Sequence, residues 1–534
     1  MRKQIFNIVL AWSLIGMMSS CYDDKGNYDY IKLDEVVIDT TGSGILSAYS
    51  LARYERLTIE PKVFFNGQEV NDDEEAPVDY LWTIYTNGTS ASTSSYVNDT
   101  LGITPELDAE MTMLAGSYIL QLTVTNKETG VQEYLQIPCQ VEESITAGWL
   151  VMYERADRPG TSDVGLVVNP LVKKNITTDR EYWNLYSASN GEPIDGTPIR
   201  IYNPILTGIT TASDVICLTD KDFVSVNSAT FEKVYNFGDF FYRAPEAQSV
   251  TWYGTSGMAA RRNFLINDNK VHTVSYMVVA SGGNYFGVAK NAGTEYGELA
   301  SWGSDISSSY EAVVYDQTNM RFMRLVQYAS PSELTLFAAQ DPSAAFDVNS
   351  VGMTLLMGDW GRGAAATYGN GYDYMLMQKD NERYLAIADF CSAATNTNVG
   401  VNMKNITNSP GIMNATSMTA AYLGEYILYG AGDKVYNLAF NASTVANEVW
   451  AAPSADEEVT CVRIQKYYFG TLYRMILPNP DVVVHIATWN PQKQEGKLYQ
   501  CTIAPADGTI TGTQRTYSVP GKVKDMAWKY IFEM

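Results

Sequence analysis

The sequence predicts an all-β protein in two parts, a small N-terminal sandwich followed by a seven-bladed β-propeller. Two observations carry this expectation. Between Tyr30 and Glu143 short runs alternate apolar and polar residues, and from Ile145 onwards one strand–turn–strand pattern recurs seven times. Alternation of period two marks strands buried on one face. Recurrence at a period of some tens of residues marks radial or solenoidal repetition.

Before either part comes a leader. Arg2 and Lys3 precede an apolar stretch from Ile5 to Met18 and the small pair Ser19-Ser20, the three regions of a secretory signal peptide over residues 1–20. The stretch is too short for a spanning helix. Cys21 follows at once, in the arrangement of a lipobox, although Met18 stands where Leu is common. The expectation is that Cys21 takes the lipid and begins the mature chain, its acyl chains anchoring the protein in a membrane. Asp23 and Asp24 open an acidic tether over residues 21–29. Acids at this place resemble the signal that carries lipoproteins to the outer face of the outer membrane in bacteria feeding through SusC/SusD-type transporters. A plain solvated tether is the alternative.

The sandwich spans residues 30–143. Its runs RLTIEPKVFF, VDYLWTIYT, GSYILQLTVTN and VQEYLQIPCQVEE are divided by polar turns such as NGQEVNDDEEAP and NKETG, as two packed antiparallel sheets require. The pattern of Tyr80, Trp82 and Ile84, followed by GSYILQLTVTN from Gly116 to Asn126, resembles the immunoglobulin-like PKD fold. The W-D-F-G-D-G turn of typical PKD repeats is missing, so the likeness is to the divergent PKD-like domain of surface lipoproteins. Trp82 reads as a core residue.

The repeat region spans residues 144–534. Five segments share one form: VICLTDKDFVSV, NFLINDNKVHTVSY, AVVYDQTNMRFMRL, YMLMQKDNERYLAIA and YILYGAGDKVYNLAF. Looser versions begin at Trp149 and Val482, and the seven starts lie roughly 50 to 65 residues apart. Four-stranded blades fit that spacing, whereas a row of sandwiches would need about 100 residues for each. The terminal KVKDMAWKYIF reads as a strand able to complete the closure.

Composition excludes several functions. The 534 residues carry a formal charge of -23, which repels nucleic acid. After Cys21 the cysteines at 139, 217, 391, 461 and 501 are far apart with no C-x-x-C, and read as buried small hydrophobes. His272 and His485 are the only histidines and sit within β runs, so no zinc motif is expected, and no metal or cofactor. Neither a nucleophile motif nor a phosphate-binding loop occurs. Asp220, Asp222, Asp268, Asp380 and Asp433 fall in the repeated turns, where Asp serves backbone geometry.

Aromatic residues beside glycine are what remains. TWYGTSG supplies Trp252 and Tyr253, ELASWGSD supplies Trp302, and MGDWGRGAAATYGNGYDY supplies Trp360, Tyr368 and Tyr372. All are expected on inter-strand loops, as stacking platforms for a ligand or as caps on blade edges. On the first expectation, truncating Trp302 or Trp360 leaves the fold standing and weakens binding.

Lipobox, acidic tether, sandwich and repeats together resemble the PKD-like lipoproteins associated with SusC/SusD transport systems. The resemblance implies a non-catalytic surface lipoprotein that captures oligopeptides or glycans beside a SusC/SusD-like transporter and companion lipoproteins. A surface hydrolase of the same polymers and a purely structural subunit are the rival classes.

Overall fold

A computed structural model of the chain describes residues 34–529, other than 43, 54, 71–75, 88–97, 114, 143–146, 204–214, 257–262, 275–284, 291–292, 308–309, 327–332, 364–370, 395, 467–478 and 480. Cys21, Asp23, Asp24 and Tyr368 lie outside the described residues. Among those described, no helix is long and apolar enough to cross a membrane. The structure is almost entirely β, its one described α-helix being Leu185–Asn190. Two compact units divide the chain. The first takes residues up to Ser47, Tyr54–Met111 and Ser117–Cys139, and the second takes Ala48–Arg53, Thr112–Gly116 and everything from Gln140 onwards.

In the first unit Val78–Thr86 lies between Gly116–Asn126 and Asn98–Gly102, antiparallel to both. Val78, Tyr80, Trp82 and Ile84 are buried while Asp79 and Leu81 face out, as period two demands. Trp82 is fully buried opposite Leu122, and its indole N–H donates to the Pro105 carbonyl at 3.2 Å. Its polar edge is thus satisfied inside the core.

Each of the seven recurring segments of the second unit forms an antiparallel hairpin, for example Val215–Thr219 with Phe223–Val226 and Val483–Asn490 with Glu495–Ile503. Turn acids do what their type allows. Asp268 and Asn269 both adopt positive φ (48° and 58°) between the paired Asn267 and Lys270, the two-residue turn whose twist matches a hairpin.

Every hairpin belongs to its own sheet, completed by a leading strand on one side and, in all but the third of the sheets as described, by a fourth strand on the other. The leading strands of sheets two to seven are Pro198–Tyr202, Val250–Thr255, Leu299–Gly303, Thr354–Gly361, Ser417–Ala420 and Glu458–Ile464. That of sheet one is the terminal strand Gly521–Lys529, which pairs antiparallel with Gly148–Arg155 and sets Trp528 opposite Trp149. Each leading strand touches those of the sheets before and after it, and Glu458–Ile464 touches Gly521–Lys529, so the succession returns to its start. No single sheet among the described residues closes on itself.

Between neighbouring sheets the alternate side chains interlock. Leu150, Met152 and Val164 meet Val215 and Val224 between sheets one and two, and Trp149, Val151 and Val523 meet Cys461, Ala487 and Leu498 between sheets one and seven. Each such aliphatic side chain contributes about 1.5–3 kcal/mol on burial. The five cysteines after Cys21 are buried and not joined in disulfides.

Candidate functional site

Six of the seven leading strands border a cavity of about 270 Å³. Their outer faces must pack against neighbouring sheets, yet PIRIY, LLMGDWG, VRI and KDMAW set charges and indoles among apolar residues. A charge inside a strand is costly unless it is paired, and here it is paired across sheets. Arg200 meets Asp305 at 2.5 Å, Arg463 meets Asp525 at 2.7 Å, and Lys466 meets Asp359.

Each carboxylate also accepts from a third sheet. Asp305, just after the leading strand of sheet four, accepts the Thr255 N–H of sheet three at 3.3 Å while Arg200 reaches it from sheet two. Asp359 of sheet five accepts the Thr419 hydroxyl and the Ala420 N–H of sheet six at 2.9 and 2.8 Å, with Lys466 arriving from beyond the sheet-seven strand. Asp525 of sheet one accepts Arg463 of sheet seven and the Ile201 N–H of sheet two at 3.1 Å. Burial opposes charge on Asp359, yet Lys466 and Arg463 hold its carboxyl below the ordinary value. Burial raises Asp305, with Arg200 pulling the other way.

Asp373 completes the circuit between sheets four and five, accepting the Ser304 hydroxyl at 2.7 Å. Among the described residues it has no cation partner. Burial, reinforced by Asp305 and Asp359, pushes its pKa well above the ordinary carboxylate range, against the pull of Ser304. Between the unfolded pKa, near 3.9, and this raised value the folded chain holds a proton that the unfolded chain has released. Stability from this site is therefore full below the unfolded pKa and falls as pH rises through that window. Asp373→Asn, which is never ionised, is expected to melt higher than wild type at pH 7 and to lose that advantage near pH 3.5. Thermal scans across pH read it, and a variant less stable at pH 7 would contradict it.

The aromatic candidates among the described residues are not on loops, and this corrects the sequence expectation for them. Trp252, Trp302 and Trp360 lie on the leading strands of sheets three, four and five and all border the cavity. Trp302 and Trp360 are only 4% and 7% exposed. Trp302 packs edge-on to Phe322, and Trp360 edge-on to Tyr422. Trp252 is half-buried beneath the Arg200 guanidinium, 3.7 Å from its ring centre. Tyr253 points away into the core against Tyr202 and Phe286. Tyr372 opens the strand Tyr372–Lys379 and packs between sheets five and six.

The neighbouring glycines have a packing reason instead of a loop one. A Cβ on Gly358 would sit 2.5 Å from the Trp302 indole nitrogen, and one on Gly303 would sit 2.5 Å from the Phe264 ring and 3.0 Å from the Trp252 nitrogen. Indoles of one sheet thus lie where the next sheet has no side chain.

Sequence reasoning missed Arg200, Asp305, Asp359, Asp373, Arg463, Lys466, Asp525, Trp149 and Trp528. For Arg200, Asp359, Arg463 and Asp525 the signal was present as charges inside the short strands that flank the hairpins. Both histidines are strand residues. His485 is buried, stacked on Trp149 at 3.6 Å and bonded to Gln465 at 3.0 Å, and burial pushes its pKa well down. His272 bonds the Gly287 carbonyl at 3.0 Å. Among the described residues no three His, Cys, Asp or Glu side chains gather into a metal-binding group.

A model of the PKD-like family matches residues 21–198. The chain carries a PKD-like domain. The match to that domain covers about a third of the sequence and runs past the sandwich, through Gly148–Arg155 and Thr161–Val168 of the first repeat sheet. No curated protein matches the chain. Among solved structures, a quinonprotein alcohol dehydrogenase-like protein from Bacteroides thetaiotaomicron is similar at 11% identity and a TM-score of 0.42, over 93% of this chain and 99% of that one. An apocarotenoid oxygenase of Synechocystis follows at 8% identity and 0.41, over 73% of this chain and 94% of that one. At such scores neither likeness carries an argument about fold or activity.

Proposed function

We propose that the protein is a non-catalytic surface lipoprotein whose seven repeat sheets are the blades of a β-propeller, and whose cavity captures an oligopeptide or glycan for a SusC/SusD-type transporter in the outer membrane. The cavity carries this reading. Six of the seven leading strands line it, and its walls combine indoles with cross-sheet ion pairs, the mix of apolar surface and few placed polar groups that small-ligand sites use. The SSC junction and the PKD-like domain support the anchor and the transporter association. Cys21 holds the lipid, and Asp23 with Asp24 directs the chain to the outer face.

Cys21→Ala is expected to lose the lipid and leave the outer-membrane fraction, because no other group accepts the acyl chains. Intact mass and fractionation read this, and a variant still in the membrane at wild-type mass would defeat the anchor. Purification of wild type from membranes in mild detergent is expected to bring down a SusC/SusD-like pair. One observation favours a hydrolase instead: Asp373 is held as an acid in the same cavity as the ion-paired carboxylates, and glycosidases set such unlike carboxyls together. Turnover of a polysaccharide, lost in Asp373→Asn, would establish it.

A further inference from the structure

This inference rests on the reading of the cavity as the binding site and names what it takes. We propose that the cavity binds one uncharged sugar ring of a neutral glycan, its hydroxyls bonded by the unpartnered oxygen of Asp373 and by Arg200, with Trp528 against its carbon face.

Charge on the walls decides against a charged ligand. Arg200, Arg463 and Lys466 each already hold a carboxylate at contact distance. A peptide terminus or a charged side chain entering here would lose its water and meet no unpaired counter-charge, a costly transfer. A neutral ligand pays no such penalty.

The polar groups left over suit hydroxyls. Asp373 is 2% exposed and lines the cavity, and one of its oxygens accepts Ser304. The other makes no hydrogen bond among the described residues, on a side chain that lines the cavity. Its uncharged state lets it both donate and accept, as a sugar hydroxyl does. Arg200 gives one N–H to Asp305 and, as a guanidinium with five, keeps others for a ligand. Trp528 is half-buried on the lining, and an indole offers an apolar face to ring carbons.

Size and access agree. At about 270 Å³ the space lies just under the ~300–1,000 Å³ of typical small-ligand pockets, so it holds one ring of a chain whose remainder stays outside. Ile199 and Leu356 on the lining are 38% and 40% exposed and mark an opening.

The test titrates the purified full chain, by intrinsic tryptophan fluorescence, with glucose, galactose, mannose, N-acetylglucosamine and their di- and trisaccharides. Glucuronic and galacturonic acids and a tripeptide library are run in parallel. Saturable binding of a neutral sugar is expected, at least tenfold tighter than its uronic acid. Asp373→Leu is expected to weaken it about tenfold, the loss of roughly one hydrogen bond, while Asp373→Asn retains it. Leu356→Arg, at an exposed position, is expected to weaken it with the melting temperature unchanged, and Tyr134→Ala on the first unit to leave it alone. Preference for a peptide or uronic acid, abolished by Leu356→Arg, would overturn the ligand class while keeping the cavity as the site. Sugar binding indifferent to both Leu356→Arg and Asp373→Leu would overturn the cavity itself. No saturable binding of any of these sugars would overturn the inference.

Discussion

Asp359→Ala is expected to be among the most destabilising single substitutions in the second unit, costing about 3–5 kcal/mol, because it leaves the buried Lys466 ammonium without its counter-charge. Asp359 ties three successive leading strands together: its own, Ser417–Ala420 through Thr419 and Ala420, and the end of Glu458–Ile464 through Lys466. Lys466 is only 8% exposed, and its ammonium also donates to the Trp360 carbonyl at 2.5 Å. Urea unfolding should show a lower midpoint for the single variant. Most of the loss should return in the double variant Asp359→Leu with Lys466→Met, since removing both charges of a buried pair is often neutral. A single variant of wild-type stability would show that the pair is solvated and the seam unimportant.

Trp302→Ala is expected to cost about 3–5 kcal/mol, the usual range for truncating a buried large aromatic. The indole fills the space between sheets four and five, with Phe322 at its edge, Phe390 behind it and Gly358 against its nitrogen. This reverses the expectation drawn from the sequence, in which the ring sat on a loop and its loss spared the fold. The neighbours cannot collapse onto the void, since Gly358 has no side chain to offer. Thermal and urea unfolding measure the loss. An unchanged midpoint would mean that the ring is exposed and restore the loop placement.

What the sequence showed and what it hid follow from range. The hairpins were legible because both their strands and their turn lie within about 12 to 21 residues, so period-two burial and turn acids such as Asp268 appear side by side. The half-buried strands around Trp82 were legible for the same reason. The seams of the cavity were not, since Arg463 and Asp525 are 62 positions apart, Arg200 and Asp305 105, and Lys466 and Asp359 107. Nothing local announces such a partner. The aromatic-plus-glycine segments were seen but misplaced. Glycine beside tryptophan suggests a flexible loop when the chain is read alone, and only the adjacent sheet reveals that Gly303 and Gly358 make room for indoles. Asp373 escaped notice altogether because its peculiarity, burial without a cation, is a property of the assembled sheets.

Capture without cleavage is the central claim, and calorimetry of the purified protein with the tightest-binding neutral oligosaccharide tests it most directly. The account predicts discrete heats that saturate near one ligand per chain, return to baseline after every injection and weaken about tenfold in Asp373→Leu. A sustained heat flow after each injection, proportional to enzyme and absent in Asp373→Asn, would mean that the sugar is being consumed, and would contradict it.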